Sequence, residues 1–231
     1  VLKSIIKDIL NFFFPPLCLI CENLKEDKFF CKSCLELILR SKIHPPFCKK
    51  CGRSLKGHKC SIKLKYIDEV YAIFNYNDII KELIESYKFR RYTKISEFFV
   101  PFVIERIEKV LPPFDVIIPV PLHPSKERER GFNQNVLILE SVKKIFKINY
   151  RNDILIRLKP TRPQSRIKEF KKREENVWDA FKVIKSNEVK YKRILLFDDV
   201  LTSGKTLEEC AKVLKSKGSE KVFALSIATG S

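Results

Sequence analysis

The stretch ILLFDDVLTSGKT, which runs from Ile194 to Thr206, decides the fold of this chain. Its first four residues are continuously apolar, which is typical of a buried strand in a parallel sheet. Two adjacent carboxylates follow at the carboxyl end of the strand, and a short polar loop then opens a helix. Ligands of open α/β sheets bind at that edge, and N–H groups at a helix N-terminus favour a phosphate dianion. The stretch therefore predicts a phosphate-binding turn.

The residue types within this turn suit a phosphorylated sugar. Gly204 lets the backbone approach a phosphate closely, and Asp198 and Asp199 can accept hydrogen bonds from vicinal ribose hydroxyls or face a Mg²⁺ ion. The loop that we expect to hold the ligand consists of Val200, Leu201, Thr202, Ser203, Gly204, Lys205 and Thr206. A Walker A loop, GxxxxGK(S/T), would need a glycine where Asp199 stands, so that motif is excluded. The plain alternative is a strand with an acidic turn and a capped helix.

The chain around this stretch alternates between strand and helix patterns. Strands are predicted at 70–76, 115–120, 193–197 and 222–228, and helices at 77–88, 95–110, 133–146 and 206–217. This order indicates an α/β fold with a parallel sheet flanked by helices. Asn77 is the expected N-cap of the first of these helices. Composition shifts near residue 65, which predicts a Cys-rich module over 1–64 and a second domain over 65–231.

The overall composition excludes several classes of protein. Hydrophobic residues make up 45% of the 231 residues, which excludes a wholly disordered chain, and 6 glycines exclude a collagen-like one. No apolar run reaches the length of about 20 residues that a membrane span needs, and no signal-peptide cleavage site precedes Cys18, so we expect a cytoplasmic protein. The net charge of +18 predicts an anionic partner, with a lysine-rich proteome as the alternative explanation.

Seven of the eight cysteines lie between Cys18 and Cys60. Cys18 and Cys21 form one CxxC pair, and Cys31 and Cys34 form the next. Two such pairs can present four thiolates tetrahedrally to one Zn²⁺ ion, whereas a disulfide scaffold is typical of short secreted chains. The first four cysteines therefore predict a structural zinc site.

A second zinc site is a weaker prediction. Cys48 and Cys51 begin another knuckle, and His58 and Cys60 are the candidates to complete it. A metal-free knuckle is the alternative, and His44 is the other candidate ligand. Sites closed by protein ligands fold a small module that has little core of its own, or form a platform for a partner or nucleic acid.

The stretch from Ile194 to Thr206 resembles the signature of type I phosphoribosyltransferases that binds phosphoribosyl pyrophosphate. The whole chain more closely resembles the ComF/GntX family of competence-associated, phosphoribosyltransferase-like proteins. The matching pieces are the cysteine knuckles, the stretch from Tyr76 to Lys88, IPVPLH from Ile118 to His123, RGFNQ from Arg130 to Gln134, Gln164, Arg173, Asn176, Phe181 and the double-aspartate loop. The resemblance implies a type I phosphoribosyltransferase-like sheet with an N-terminal zinc ribbon.

The resemblance also implies roles for individual residues around bound 5-phosphoribosyl 1-pyrophosphate (PRPP) and Mg²⁺. Val120, Pro121 and Leu122 are expected to contact the pyrophosphate through backbone amides. Arg128 and Arg130 are expected to clamp it from a mobile loop and to act with the two aspartates in catalysis; a solvated charged loop is the alternative. The expected hood or loop residues are Gly131, Phe132, Asn133, Gln134, Gln164, Arg173 and Asn176. His123 is an ordinary loop histidine or a ligand, and Lys88 a partner of its helix dipole.

Three functions remain open at this point. The first is a Mg²⁺-dependent phosphoribosyltransferase of unknown acceptor, which the resemblance links to DNA uptake in natural competence. The second is a single-stranded DNA-binding module, because residues 157–173 carry eight basic residues against one acid, with Phe170 and Trp178 available for stacking. The third is an adaptor whose zinc ribbon docks a DNA-uptake helicase or a recombination mediator. An N-terminal amphipathic helix over residues 2–13 is expected to pack on the protein, with a membrane-surface anchor as the alternative.

Overall fold

The computed structural model describes residues 15–25, 28–89, 92–159 and 180–230. The helices are α1 (Lys32–Arg40), α2 (Asp78–Phe89), α3 (Ile95–Lys109), α4 (Pro124–Arg130), α5 (Gln134–Lys143) and α6 (Lys205–Ser216), with a 3₁₀ turn at Ser186–Glu188. The strands are β1 (Glu69–Asn75), β2 (Val116–Pro119), β3 (Leu155–Arg157), β4 (Phe181–Val183), β5 (Arg193–Leu201) and β6 (Lys221–Thr229). The predicted N-terminal helix and the predicted hood residues Gln164, Arg173 and Asn176 lie outside the described residues.

Four strands form one parallel sheet in the order β1-β6-β5-β2. The strands β3 and β4 pair antiparallel in a separate small sheet. The predicted α/β class with a parallel sheet is therefore confirmed. Because β5 lies between two partners, its carboxyl end opens near the middle of the sheet edge, where ligands of such sheets bind.

All eight predicted elements are present, and the largest differences in length are at β5, which is four residues longer than predicted, and at α5, which is four residues shorter. This strand continues through both aspartates to Leu201, which pairs with Thr229 of β6. Asp198 and Asp199 therefore belong to the strand itself rather than to a turn after it. At the start of α2, Asn77 Oδ1 accepts the Ile80 N–H at 3.1 Å, which confirms the predicted N-cap.

The helix α4 replaces a segment that was predicted to be a mobile loop. His123 caps its N-terminus by accepting the Ser125 N–H at 3.2 Å, and Pro124 occupies the first turn. Gly131 ends the helix in the left-handed conformation, with φ of 87°, and its N–H donates to the Glu127 carbonyl at 2.7 Å. A capping residue, an early proline and a terminal glycine are the usual boundaries of a helix. His123 thus has a structural role.

The two faces of the sheet are covered by different hydrophobic clusters. On one face, Leu195 and Phe197 belong to the cluster that includes α2, α3 and α5. On the other face, Ile194 and Leu196 belong to the cluster that includes α6, β3 and β4. This alternation follows from the two-residue period of a strand.

The Cys-rich segment is divided between these two faces. Phe30 and Cys34 join the cluster of α2 and α3, whereas Cys51 and Ile62 join the cluster of α6. Between them, residues 41–49 cover the free edge of β1 through backbone hydrogen bonds. The Ile43 N–H donates to Ile73 at 2.8 Å, Asn75 N–H to Ser41 at 2.8 Å, and Val70 N–H to Lys49 at 2.7 Å. The module therefore shares its core with the sheet.

Within the four described ranges, no helix combines the length and the apolar character that are needed to cross a membrane.

The contact between the second knuckle and the sheet can be tested with two glycines. Gly52 and Gly57 both have positive φ, 76° and 68°, so alanine at either position costs about 1 kcal/mol of backbone strain. A Cβ on Gly52 would also lie 2.9 Å from the Ala72 backbone nitrogen, whereas a Cβ on Gly57 meets nothing within 4 Å. We expect Gly52→Ala to lower the free energy of unfolding by about 1–3 kcal/mol more than Gly57→Ala. Denaturant unfolding of the zinc-loaded variants measures the difference, and equal losses would contradict this packing.

Candidate active site: a phosphate loop, a carboxylate pair and a wall of cations

The turn after β5 forms a small hollow at the start of α6. Asp198 and the residues from Val200 to Leu207 line this hollow. Gly204 adopts the left-handed conformation, with φ of 75°, at the N-cap position of α6. Because α6 has 12 residues, its N-terminal N–H groups and dipole favour an anion at this point. The geometry is that of an anion-binding turn at the position predicted from the sequence.

The two aspartates are held by different partners. Asp199 is buried; its Oδ2 lies 2.7 Å from Lys88 Nζ and also accepts a hydrogen bond from the Gln134 side chain. Asp198 Oδ1 accepts the Asn135 side-chain amide at 3.0 Å and the Asp199 N–H at 2.9 Å. Burial, and then the neighbouring Asp199 carboxylate, raise the pKa of Asp198 above its usual range. The pair therefore attracts a cation or a hydroxyl donor.

The aspartates line a cleft of about 380 Å³, and several cationic side chains form its wall. Lys88 comes from the end of α2, Lys126 and Arg130 from α4, and Arg157 from β3. Arg130 donates to Gln134 Oε1 at 2.6 Å, which links it to Asp199 through the glutamine. Burial, and then the charges of Arg157 and Arg130, lower the pKa of Lys126. Cations held this close to one another favour a multiply charged anion between them.

The arginine pair predicted from the sequence is only partly present at this cleft. Lys126 and Arg130 are four residues apart on α4 and therefore share one face of the helix, which lines the cleft. Arg128 is exposed and is not among the described residues that line the cleft. Because the segment is helical, Arg128 lies two residues from both Lys126 and Arg130 and is therefore on a different face of the helix.

The loop after β2 lines the cleft, but it offers fewer amides than predicted. The Val120 N–H donates to the Phe197 carbonyl at 2.8 Å within the sheet, and Pro121 has no N–H. Of these three residues, Leu122 is therefore the one whose backbone N–H we expect to contact an anion. All three residues line the cleft.

The segment from Gly131 to Gln134 is structural in its first three residues. Gly131 ends α4, and the Phe132 ring packs 5.8 Å from the Tyr87 ring. Asn133 caps α5 by accepting a backbone N–H of the first turn at 3.0 Å. Gln134 alone reaches the aspartates. Within this segment, the observed contact with the aspartates is therefore a single side-chain amide.

Sequence reasoning missed four residues of this site: Lys88, Lys126, Asn135 and Arg157. The i, i+4 spacing of Lys126 and Arg130 could have identified the lysine once the segment was recognised as a helix. Lys88 was interpreted as a dipole partner because its contact with Asp199 joins residues that are distant in the sequence.

The cysteines form two groups that fit zinc. In each group the potential ligand atoms all lie within 4.8 Å of one another. The groups are Cys18, Cys21, Cys31 and Cys34, and Cys48, Cys51, His58 and Cys60. Thiolate and imidazole donors in fours are the ligands of structural zinc sites. Both groups therefore fit a zinc ion, and His44 belongs to neither group among the described residues.

Comparisons with known proteins agree with this arrangement. Residues 9–65 match the double zinc ribbon domain family. The chain is 30% identical over 195 residues to "Competence protein F" of Haemophilus influenzae, covering 77% of this chain and 82% of that protein. The chain belongs to the ComF family of competence proteins. Competence protein ComFC of Bacillus subtilis is 29% identical over 226 residues, covering 87% of this chain and 90% of that protein.

Among solved structures, this ComF-family chain is similar to a hypoxanthine phosphoribosyltransferase from Staphylococcus aureus. The identity is 11% and the TM-score 0.38, with 59% of this chain and 64% of that chain covered. The predicted ComF family, the predicted parallel α/β sheet and the predicted N-terminal zinc ribbon are confirmed.

The second zinc centre of this ComF-family protein can be tested with its histidines. We expect two zinc ions per chain in the wild type and one in His58→Ala, because that variant removes a ligand from the second group. His44→Ala is the matched control and should retain two, since His44 is exposed and lies outside both groups. Atomic-emission measurement of zinc on desalted protein gives the ratio. A single zinc in the wild type would contradict the second centre.

Proposed function

We propose that the protein binds PRPP together with Mg²⁺ in the cleft between α4 and α6, as a phosphoribosyltransferase-like protein of DNA uptake. The observation that carries this proposal is the presence of three features in one cleft. A phosphate-binding turn, a carboxylate pair and a wall of cations line it together. These features match the three parts of PRPP: a phosphate, a diol and a pyrophosphate. The names of the competence-protein relatives support the role in DNA uptake.

Each part of the ligand has a set of residues suited to it. The loop from Thr202 to Thr206 suits the 5′-phosphate, because Gly204 opens the backbone and α6 begins there. Asp198 and Asp199 suit the ribose hydroxyls. The side of the cleft that carries Lys126 and Arg130 suits the pyrophosphate, since paired cations neutralise its charge.

The aspartates also fit Mg²⁺, which prefers carboxylate oxygens and substrate phosphates as ligands. When bound, Mg²⁺ helps to neutralise the pyrophosphate as it leaves C1 of the ribose. The protein's own part is positioning. Lys88 and Gln134 orient Asp199, and Asn135 orients Asp198, before any ligand arrives. Such preorganisation lowers the barrier to ribosyl transfer because these dipoles need not reorient during the reaction.

Calorimetric titration of PRPP into the zinc-loaded protein tests the proposal. We expect saturable binding in the presence of Mg²⁺ that is lost when Mg²⁺ is omitted, because the metal shields the pyrophosphate charge from the carboxylates. The double variant Asp198→Asn/Asp199→Asn should lose the Mg²⁺-dependent heat. Folded protein that gives no heat under either condition would overturn the proposal.

The placement of the cations gives a second test. Lys126→Ala should weaken binding of Mg²⁺·PRPP by about tenfold or more, since a hydrogen bond to a charged group contributes about 1.5–3 kcal/mol. Arg128→Ala removes the same charge from the exposed side of the same helix and should bind as the wild type does. Equal weakening in both variants would mean that overall charge, not the cleft, attracts the ligand.

Single-stranded DNA is the second candidate ligand, and the observation that favours it is the net charge of +18. Binding through many lysines and arginines falls steeply with added salt. Retention of single-stranded DNA that falls steeply with salt, by protein that shows no heat with PRPP, would favour the DNA-binding function. In that case the zinc ribbons would also become the candidates for docking a helicase or a recombination mediator.

A further inference from the structure

The second zinc centre consists of Cys48, Cys51, His58 and Cys60, and the phosphate loop is the stretch from Thr202 to Thr206. The two lie side by side. Soon after the last ligand of the centre, Cys60, the chain passes over the start of α6, and Ile62 and Leu64 pack against Gly204. A Cβ placed on Gly204 would lie 3.1 Å from Leu64 Cδ2 and 3.6 Å from Ile62 Cγ2. These two side chains therefore close the space behind the glycine at which the loop turns into the helix.

A second contact holds the same segment to α6. Glu208, in the first turn of the helix, accepts the Lys65 N–H at 2.6 Å and the Tyr66 N–H at 3.0 Å. Residues 62–66 are thus attached to the loop by apolar packing and to the helix by two hydrogen bonds. Movement of this segment would change the backbone that is positioned to bind the phosphate.

The knuckle itself is attached to the sheet at the same edge. The Cys51 carbonyl accepts the Thr229 hydroxyl at 2.7 Å, at the carboxyl end of β6. Arg53, two residues further on, lines a pocket together with Thr202 of the phosphate loop. The second centre therefore contacts the surroundings of the loop from two directions, through Arg53 and through residues 62–66.

The first zinc centre has different neighbours. The Phe30 ring lies beside the first centre, and its centroid is 4.9 Å from that of the Phe98 ring. Lys28 forms an ion pair with Glu97. Phe98 and Glu97 both belong to α3. Among the described residues of the Cys-rich segment, the nearest neighbours of Gly204 are Ile62 and Leu64, which follow the second centre in the chain. The two centres thus differ in what they could position.

We propose that the second zinc centre positions the phosphate loop, with Ile62 and Leu64 as the positioning residues. Zinc at Cys48, Cys51, His58 and Cys60 holds the start of the segment, which holds Gly204 and the first turn of α6 in the conformation that binds phosphate. Loss of this zinc loosens the loop. By linkage, a ligand in the loop raises the affinity of this centre for zinc. The identity of the ligand rests on the proposed function, whereas the contact between centre and loop does not.

Hydrogen exchange at the amides of residues 202–208 tests the coupling without any ligand. Cys60→Ser and Cys21→Ser are matched variants, because each removes one exposed cysteine from one centre. We expect each to contain one zinc instead of two. Exchange in the loop should rise by about tenfold in Cys60→Ser and remain at the wild-type rate in Cys21→Ser. Unchanged exchange in Cys60→Ser, or an equal rise in both variants, would overturn the proposal.

Leu64→Ala keeps the test decisive if Cys60→Ser fails to fold. This variant leaves all eight zinc ligands in place and removes the side chain that packs on Gly204. We expect two zinc ions per chain, faster exchange in the loop and weaker binding of Mg²⁺·PRPP. Wild-type exchange in Leu64→Ala would refute the positioning role of this residue.

Equilibrium competition for zinc with a chromogenic chelator tests the reverse direction. In wild-type protein saturated with Mg²⁺·PRPP, we expect one of the two zinc ions to be bound about tenfold more tightly and the other with unchanged affinity. The Asp198→Asn/Asp199→Asn variant controls for chelation of zinc by PRPP itself. Binding of PRPP with no change in either affinity would overturn the coupling. Absence of PRPP binding would instead refute the proposed function and leave the exchange experiment to decide this inference.

Discussion

The pairing of β5 with β6 on one side and β2 on the other is the constraint on which the site depends. Apolar clusters fill both faces of the sheet around this strand. The strand can therefore present polar groups to a ligand only at its ends, and Asp198 and Asp199 stand at the carboxyl end. Adjacent carboxylates at such a place are stable only with partners, and helices α2 and α5 supply them as Lys88, Gln134 and Asn135.

The sides of β5 contribute different chemistry to the cleft. On the side of β2, the elements α4 and β3 bring Lys126, Arg130 and Arg157 to the cleft. Toward β6 and β1, the second zinc ribbon contributes Arg53 beside the phosphate loop, and Leu64 packs against the loop. The zinc ribbons are thus part of the structure around the sheet, because they share its hydrophobic clusters and cover the free edge of β1.

Prediction from the sequence succeeded where a pattern is local. The apolar run of β5, the cap at Asn77 and the CxxC spacing each describe groups that interact within a few residues. Prediction failed at α4, which the family resemblance implied to be a mobile loop. His123 and Gly131, which bound the helix, carry the local signals for it. The loop interpretation gave no reason to prefer Lys126, which lines the cleft with Arg130, to the exposed Arg128.

Local patterns along the chain predict the α/β class, the polar turn after β5 with its carboxylate pair, and two sets of side chains suited to zinc. These features depend on backbone hydrogen bonds, caps and side-chain spacings between residues that are close in the sequence. The pairing of Lys88 with Asp199 and the packing of Leu64 on Gly204 became visible in the folded chain alone. The same is true of the position of the zinc ribbons on opposite faces of one sheet. Such contacts join distant parts of the chain, and their geometry follows from how helices and sheet pack, which no local pattern encodes.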